Sequence, residues 1–453
     1  MLHGIAGGAA PTIDGLLNLR RVTGASISPD GRYVAYGITE TDWDQDASVR
    51  HLWIAEAGTG RTWQLTRGKK GVSAMAWSPD GQWLGFVSDR EGGKAQIFAI
   101  RVDGGEALQL TKSETAVNDF DWSRDGQSIA FTAPDKRSED RKNYFGDFEV
   151  VRRDYAHAHL WTLNVAEALK APVAGKQLTK GKDFSIGSFD WSPDGTQIAF
   201  SATVNPDLVQ GGSSDIYVMG AADGALKKIV DQPGPDSGPK WSPDGKSIVF
   251  RSAMAQKLFF HSNARLAIVA AGGGKPRSIT DSFDEQPSLV EWTRDGIYFG
   301  GARKTEAHLF RVDPTTAAVT RVSETPSGSG VSLSREGRHA ALVLENGRQL
   351  PEVYVTSLPG WSPRKLTDMT AQVRDWTLPA SEVISWKSTD GTVIEGVLSK
   401  PAGFDPGVKY PLLCVIHGGP TGIDTPQMAH TGPYPIDLWV ARGALVLRVN
   451  YRG

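Results

Sequence analysis

A five-residue pattern returns seven times along this chain, and few folds can be built on it. It reads Ile27-Ser28-Pro29-Asp30-Gly31, Trp77-Ser78-Pro79-Asp80-Gly81, Trp122-Ser123-Arg124-Asp125-Gly126 and Trp191-Ser192-Pro193-Asp194-Gly195. Two further copies are Trp241-Ser242-Pro243-Asp244-Gly245 and Trp292-Thr293-Arg294-Asp295-Gly296, and Leu333-Ser334-Arg335-Glu336-Gly337 is a degraded seventh. Successive glycines of the pattern lie 50, 45, 69, 50, 51 and 41 residues apart. Proline presets φ early in a turn, aspartate bonds nearby backbone, and glycine accepts positive φ, so each copy predicts a tight hairpin. β-prone residues follow, as in Ile198-Ala199-Phe200 and Ile248-Val249-Phe250. A second strand pair then begins with segments such as His51-Leu52-Trp53-Ile54 or Asp215-Ile216-Tyr217-Val218, and most pairs end in a Leu-Thr-like signal, among them Leu65-Thr66 and Leu110-Thr111. Each unit is therefore about four strands in ~40–50 residues, the size of a propeller blade. The expected fold is mostly β, a seven-bladed β-propeller over 21–372, with the tryptophans packed between blades. The Asp and Trp of the repeat read as architectural. A calcium loop would need Asp-x-Asp-x-Asp-Gly, and Asp190-Trp191-Ser192-Pro193-Asp194-Gly195 lacks that spacing.

Composition narrows the function. Lys plus Arg is 49 and Asp plus Glu is 51, so no global positive charge drives nucleic-acid or membrane binding. The single cysteine, Cys414, excludes an internal disulfide framework and a multi-cysteine zinc site. No apolar run reaches the ~18 residues of a transmembrane helix, and Met1–Gly15 lacks the basic and apolar regions of a signal peptide. These readings predict a cytoplasmic protein. Gly272-Gly273-Gly274-Lys275 is followed by Pro276 and lacks P-loop spacing, so no nucleotide or other cofactor is expected.

The repeat is interrupted between Gly126 and Gly195 by a charged stretch, roughly 134–155. One reading is a solvated loop. The other places Asp147, Glu149 or Arg152 at a substrate terminus, a carboxylate pairing with an α-amino group or arginine with a carbonyl or carboxylate.

After the seventh unit the pattern changes. Asp390-Gly391 marks a hairpin between Val383–Trp386 and Thr392–Leu398. Tyr410–Ile416 is a nearly continuous apolar run, which suits a strand buried on both faces in an intact fold, with Cys414 inside it, and left exposed where the sheet is cut short. It stops at His417-Gly418-Gly419-Pro420. A helix near Pro435–Arg442 and a second mostly buried strand, Ala444–Val449, follow. The order β, loop, α, β opens an α/β domain over 373–453. Glycines directly after a buried strand let backbone N–H groups approach a ligand, although a plain turn would use the same residues. Residues 1–20 form a leading segment, with a short helix over Thr12–Arg21 capped by Thr12.

The repeats, His417-Gly418-Gly419-Pro420 and Asn450-Tyr451-Arg452-Gly453 together resemble the prolyl oligopeptidase family of serine peptidases. The chain is most similar to its acylaminoacyl-peptidase and bacterial dipeptidyl-peptidase members. The resemblance implies a propeller capping an α/β-hydrolase domain and hydrolysis of short peptides through an acyl-enzyme. It implies an oxyanion held by the backbone N–H of Gly418 or Gly419. His417 stands where a Tyr-Ala-Gly-Pro-type loop carries an oxyanion-binding tyrosine, which favours the backbone as donor here. Arg452 braces the loop or is a solvated end residue. The family also needs a Gly-x-Ser-x-Gly elbow, then Asp, then His, and the 453 residues contain no Gly-x-Ser-x-Gly. The triad is thus absent, and the chain reads as an amino-terminal fragment, catalytically inert by itself, with 382–453 poorly packed. Two alternatives remain open: a non-catalytic propeller that binds peptides or proteins, and a naturally truncated pseudoenzyme.

Overall fold

The computed structural model describes residues 8–136, 155–326, 329–419, 422–430, 432 and 434–451. Among them run seven consecutive four-stranded antiparallel sheets, spanning 21–64, 75–109, 119–177, 185–230, 236–278, 288–321 and 329–365. An eighth, mixed sheet follows within 380–450. Each of the first seven takes four successive strands in meander order, and none lends a strand to its neighbour.

Side chains of the repeat explain the hairpins. In the first five copies the serine hydroxyl donates to the aspartate carboxylate at 2.5–2.7 Å. The same carboxylate accepts the N–H two residues on, at 3.0–3.1 Å. The serine Oγ also accepts the N–H that opens the next strand, at 2.9 Å. The glycine closes the turn at φ between 68° and 76°, a conformation that favours glycine. In the seventh copy Glu336 replaces aspartate, yet Gly337 N–H still donates to the Ser334 carbonyl and His339 N–H to its hydroxyl.

The Leu-Thr signal has an equally local cause. The hydroxyl of Thr66, Thr111, Thr179, Thr280, Ser323 or Thr367 accepts a backbone N–H of its sheet's third strand. That N–H would otherwise be buried unpaired. Thr111, fully buried, accepts from Ile97 N–H at 2.9 Å and donates to Gln96 Oε1 at 2.8 Å. Thr111→Val is therefore expected to lower unfolding free energy by about 1–3 kcal/mol, the cost of stranding a buried donor. Urea denaturation measures it, and an unchanged midpoint would contradict the assignment.

The tryptophans join one sheet to the next. Trp77, Trp122, Trp191 and Trp241 each donate the indole N–H to a carbonyl on the first strand of the preceding sheet, those of Ser26, Ala76, Asp121 and Asp190, at 3.0–3.3 Å. The sheets thus stack at constant register around an axis. The ring closes where the seventh sheet meets the first. Ile27 N–H donates to Ser332 Oγ at 2.8 Å and Arg335 N–H to the Pro29 carbonyl at 3.0 Å. One core cluster joins Val34 and Tyr36 to Ala341 and Val353, and includes Leu16 of the leading segment. That segment forms a helix over Ile13–Leu17 with Thr12 as its cap. A β-bridge between Ala9 and Trp376 ties the two flanks of the ring together.

Around the residues that precede Trp122, Trp191, Trp241 and Trp292, a charged network spans several sheets. Lys240 Nζ lies 3.0 Å from Asp190 and 3.9 Å from Glu291, and Arg124 lies 3.8 Å from Glu291. Arg335, on the seventh sheet, donates to the Arg124 carbonyl on the third at 3.3 Å. Lys240 and Glu291 keep 30% and 28% of their side-chain exposure, so both retain some contact with solvent. Asp190 beside Lys240 holds its ammonium well above the usual lysine range. Burial pushes the Asp121 carboxyl up to about 6 against the opposing pull of Lys240.

In the eighth sheet the order is Ala380–Lys387, Val393–Lys400, Leu445–Asn450, Leu412–Ile416, the last two parallel. The helix Ile436–Ala441 crosses between them and packs Ile436 and Val440 on Val446, Leu413 and Val415. The sequence expects burial on both faces only for the intact fold, and exposure of 411–416 in this chain by itself. Among the described residues Leu412–Ile416 has one paired neighbour. The helix covers the Leu413 and Val415 side, while Leu412, Cys414 and Ile416 are exposed. The eighth sheet meets the connections between second and third strands: Lys304 Nζ lies 2.7 Å from Glu395, and Gly347 lies against Ser381 and Pro426. The repeat turns lie at the opposite end of the ring. The interruption of the repeat is a connection of the same kind, leaving the third sheet where Pro134 pairs with Ala158.

Candidate functional site

Two parallel strands bring the candidate residues together. Ile416 is opposite Val449, so His417-Gly418-Gly419 and Asn450-Tyr451 leave the sheet side by side. The Tyr451 hydroxyl donates to the His417 carbonyl at 2.8 Å, and the two rings stack with centroids 4.6 Å apart. His417 Nδ1 bonds the Gly418 carbonyl at 3.0 Å, which turns that carbonyl toward the ring. Gly419 has φ 144°, open to glycine and strained for other residues. Gly418 is exposed, and a Cβ there would meet nothing within 4 Å. Among the described residues no hydrogen bond uses the N–H of Gly418 or Gly419. Two uncommitted amides on a braced loop can donate to a developing oxyanion.

The following loop is held with equal care. Asp424 N–H donates to Asn450 Oδ1 at 2.7 Å, and Asn450 Nδ2 donates back to the Asp424 carbonyl at 3.0 Å. Arg448 lies 3.1 Å from the Asp424 carboxylate and donates to the Thr425 carbonyl at 3.0 Å. His430 is buried, bonding Asp437 through both its backbone N–H at 2.6 Å and Nδ1 at 2.8 Å. Among the described residues no serine hydroxyl is hydrogen-bonded to this histidine–carboxylate pair. Asn450→Ala is expected to release the 422–425 loop and speed amide exchange there about tenfold, as loss of ~1.4 kcal/mol of local stability would. Exchange read by mass spectrometry checks this, and an unchanged rate would assign the loop's order to Arg448 instead.

The sequence singled out His417, Gly418 and Gly419, and the structure brings them to one loop end. Asp147, Glu149, Arg152 and the proposed brace Arg452 lie outside the described residues. Tyr451, next to Arg452, is a brace that sequence reasoning missed. It also passed over Asn450, Asp424 and Arg448. The available signal was an arginine inside the apolar run Ala444–Val449, since a buried arginine needs a partner.

The TolB beta propeller domain model matches residues 14–172 and 174–381. Over 476 residues the chain is 27% identical to a peptidase of Bacillus subtilis named YuxL, covering 98% of this chain and 71% of that one. It is 26% identical over 465 residues to dipeptidyl-peptidase 5 of Porphyromonas gingivalis, covering 96% and 67%. Among solved structures, the Pyrococcus horikoshii acylaminoacyl peptidase superposes with a TM-score of 0.77 at 16% identity, over 98% of this chain and 67% of that one. A puromycin hydrolase superposes at 0.72 and 17% identity, over 98% and 69%. Both superpositions show a shared fold.

Proposed function

Because this chain belongs to the TolB β-propeller domain family and its relatives along nearly its whole length are peptidases, we propose that it is the propeller and leading hydrolase segment of a prolyl oligopeptidase-type serine peptidase. The seven antiparallel sheets are read as seven blades of one ring, and the eighth as the opening of an α/β-hydrolase sheet. The substrates are short peptides, cleaved in acylaminoacyl- or dipeptidyl-peptidase fashion through an acyl-enzyme. The Gly418 and Gly419 amides stabilise the tetrahedral oxyanion. The observation that carries this reading is the glycine loop, uncommitted in its amides and braced by Tyr451 at the end of a parallel strand pair. A purely binding propeller has no use for that arrangement.

Hydrolysis then requires a nucleophile, general base and orienting carboxylate from outside these 453 residues, because no Gly-x-Ser-x-Gly occurs among them. The pure 453-residue chain is expected not to turn over acyl- or aminoacyl-p-nitroanilides. Sequencing the gene past the codon for Gly453 is the decisive experiment. An open frame encoding Gly-x-Ser-x-Gly, then Asp, then His supports the reading, and a stop codon there overturns it as a catalytic assignment.

A further inference from the structure

The turn between the second and third strands of the sixth sheet is as short as a hairpin allows. Arg303 pairs with Glu306, so Lys304 and Thr305 alone make the bend. Two-residue hairpins that match the twist of their strands need positive φ at the first residue, and glycine is the usual occupant. Lys304 takes that place at φ 60°. A lysine held there is strained, and such strain persists where the surrounding contacts over-determine it. Those contacts come from the eighth sheet. Lys304 Nζ lies 2.7 Å from Glu395 Oε1, and the Thr305 hydroxyl donates to Glu395 Oε2 at 3.3 Å. Both carboxylate oxygens of one residue are thus taken by adjacent residues of the turn. Thr305 is buried, and Glu395 keeps 17% of its side-chain exposure.

Glu395 stands one strand away from the glycine-loop brace. It lies on Val393–Lys400, and its register partner on Leu445–Asn450 is Asn450. Asn450 and Asp424 hold each other by two hydrogen bonds, and Tyr451, next in the chain, holds the His417 carbonyl. We propose that Lys304 is a positioning residue: its strained turn is a pin that fixes the eighth sheet on the ring through Glu395, and so sets the strand whose end braces Gly418 and Gly419. Glycine would relax the bend but leave Glu395 without its cation. Lysine therefore occupies a glycine position for the sake of a contact outside its own sheet. The role in setting an oxyanion loop rests on the peptidase reading, whereas the pin itself is a contact between two sheets.

Hydrogen exchange on the full 453-residue chain reads both sides of this contact at once. Lys304→Gly removes the strain and the ion pair together. Protection of 393–400 and 445–451 is expected to fall about threefold, the size of a partly exposed ion pair. Protection of 296–303 and 306–312 should stay the same or rise, whereas simple damage to the turn would lower both. Lys304→Arg should keep most of the protection, and Glu395→Gln should lose as much as Lys304→Gly does. The two changes combined should lose no more than either alone, since each removes the same interaction. Raising salt from about 0.05 M to about 0.5 M should loosen the eighth sheet of the unaltered chain by a similar factor and leave Lys304→Gly unaffected. If Lys304→Gly leaves 393–400 and 445–451 as protected as before, or if the losses of Lys304→Gly and Glu395→Gln add in full, the proposal fails. The readout is amide protection rather than turnover, so its failure leaves the peptidase reading to the gene sequence, and a stop codon after Gly453 leaves the pin intact.

Discussion

Asp190→Ala is expected to destabilise the ring by roughly 3 kcal/mol, the lower end of the cost of breaking a buried ion pair, since Lys240 keeps some contact with water. Asp190 is itself 2% exposed. Its two oxygens serve different partners on the fifth sheet: Oδ1 meets Lys240 Nζ at 3.0 Å and Oδ2 accepts Trp241 N–H at 2.9 Å. Alanine leaves a buried N–H unpaired and takes away the nearest carboxylate of Lys240, leaving it Glu291 at 3.9 Å and the Asp121 charge. Asp190→Asn separates the two losses, because its amide oxygen can still accept the N–H while the ion pair is gone. Urea denaturation of both variants measures them. A cost under about 1 kcal/mol for alanine would mean that these charges are solvated and contribute like a surface pair.

Trp191→Ala should cost about 3–5 kcal/mol, the range for removing a large aromatic side chain from a core. Trp191 packs with Ala130 and Leu160 of the third sheet and Ile198 and Phe200 of its own, and its indole N–H donates to the Asp121 carbonyl. The loss falls on the boundary between two sheets, so the transition is expected to broaden as well as shift. Asp190 and Trp191 are neighbours serving opposite boundaries of one strand, so their effects should not add simply. Thermal unfolding by near-UV circular dichroism checks both points. A sharp transition shifted by no more than a surface substitution would assign the sheet boundary to other contacts.

The repeat was readable because its chemistry is local. Ser192, Asp194 and Gly195 satisfy one another within four residues, and Thr111 needs only the neighbouring strand. The charged network was not readable. The position before the tryptophan or its equivalent is Ser26, Ala76, Asp121, Asp190, Lys240, Glu291 and Ser332 in turn, so nothing repeats there. Its charges become partners only once the ring has closed. The glycine loop was visible as a motif, but its support was not. Asp424 meets Asn450 across 26 residues, and Arg448 meets Asp424 across 24. The apolar run Tyr410–Ile416 was readable as a strand made to be covered on both faces, and only the sheet order and the helix packing show which side is covered here.

The ring borrows no strand to close itself, and Ala9 already pairs with Trp376 where its flanks meet. The order in which the seven sheets follow one another along the chain is thus dispensable to the architecture. A permuted gene could join the flanks near Ala9 and Trp376 and begin in the connection between Gln177 and Ser185, keeping every sheet whole. What such a molecule would forfeit is the chain continuity that leads from Trp376 into the eighth sheet. Topologically, the propeller is a closed cycle whose starting point is fixed only by what it is attached to.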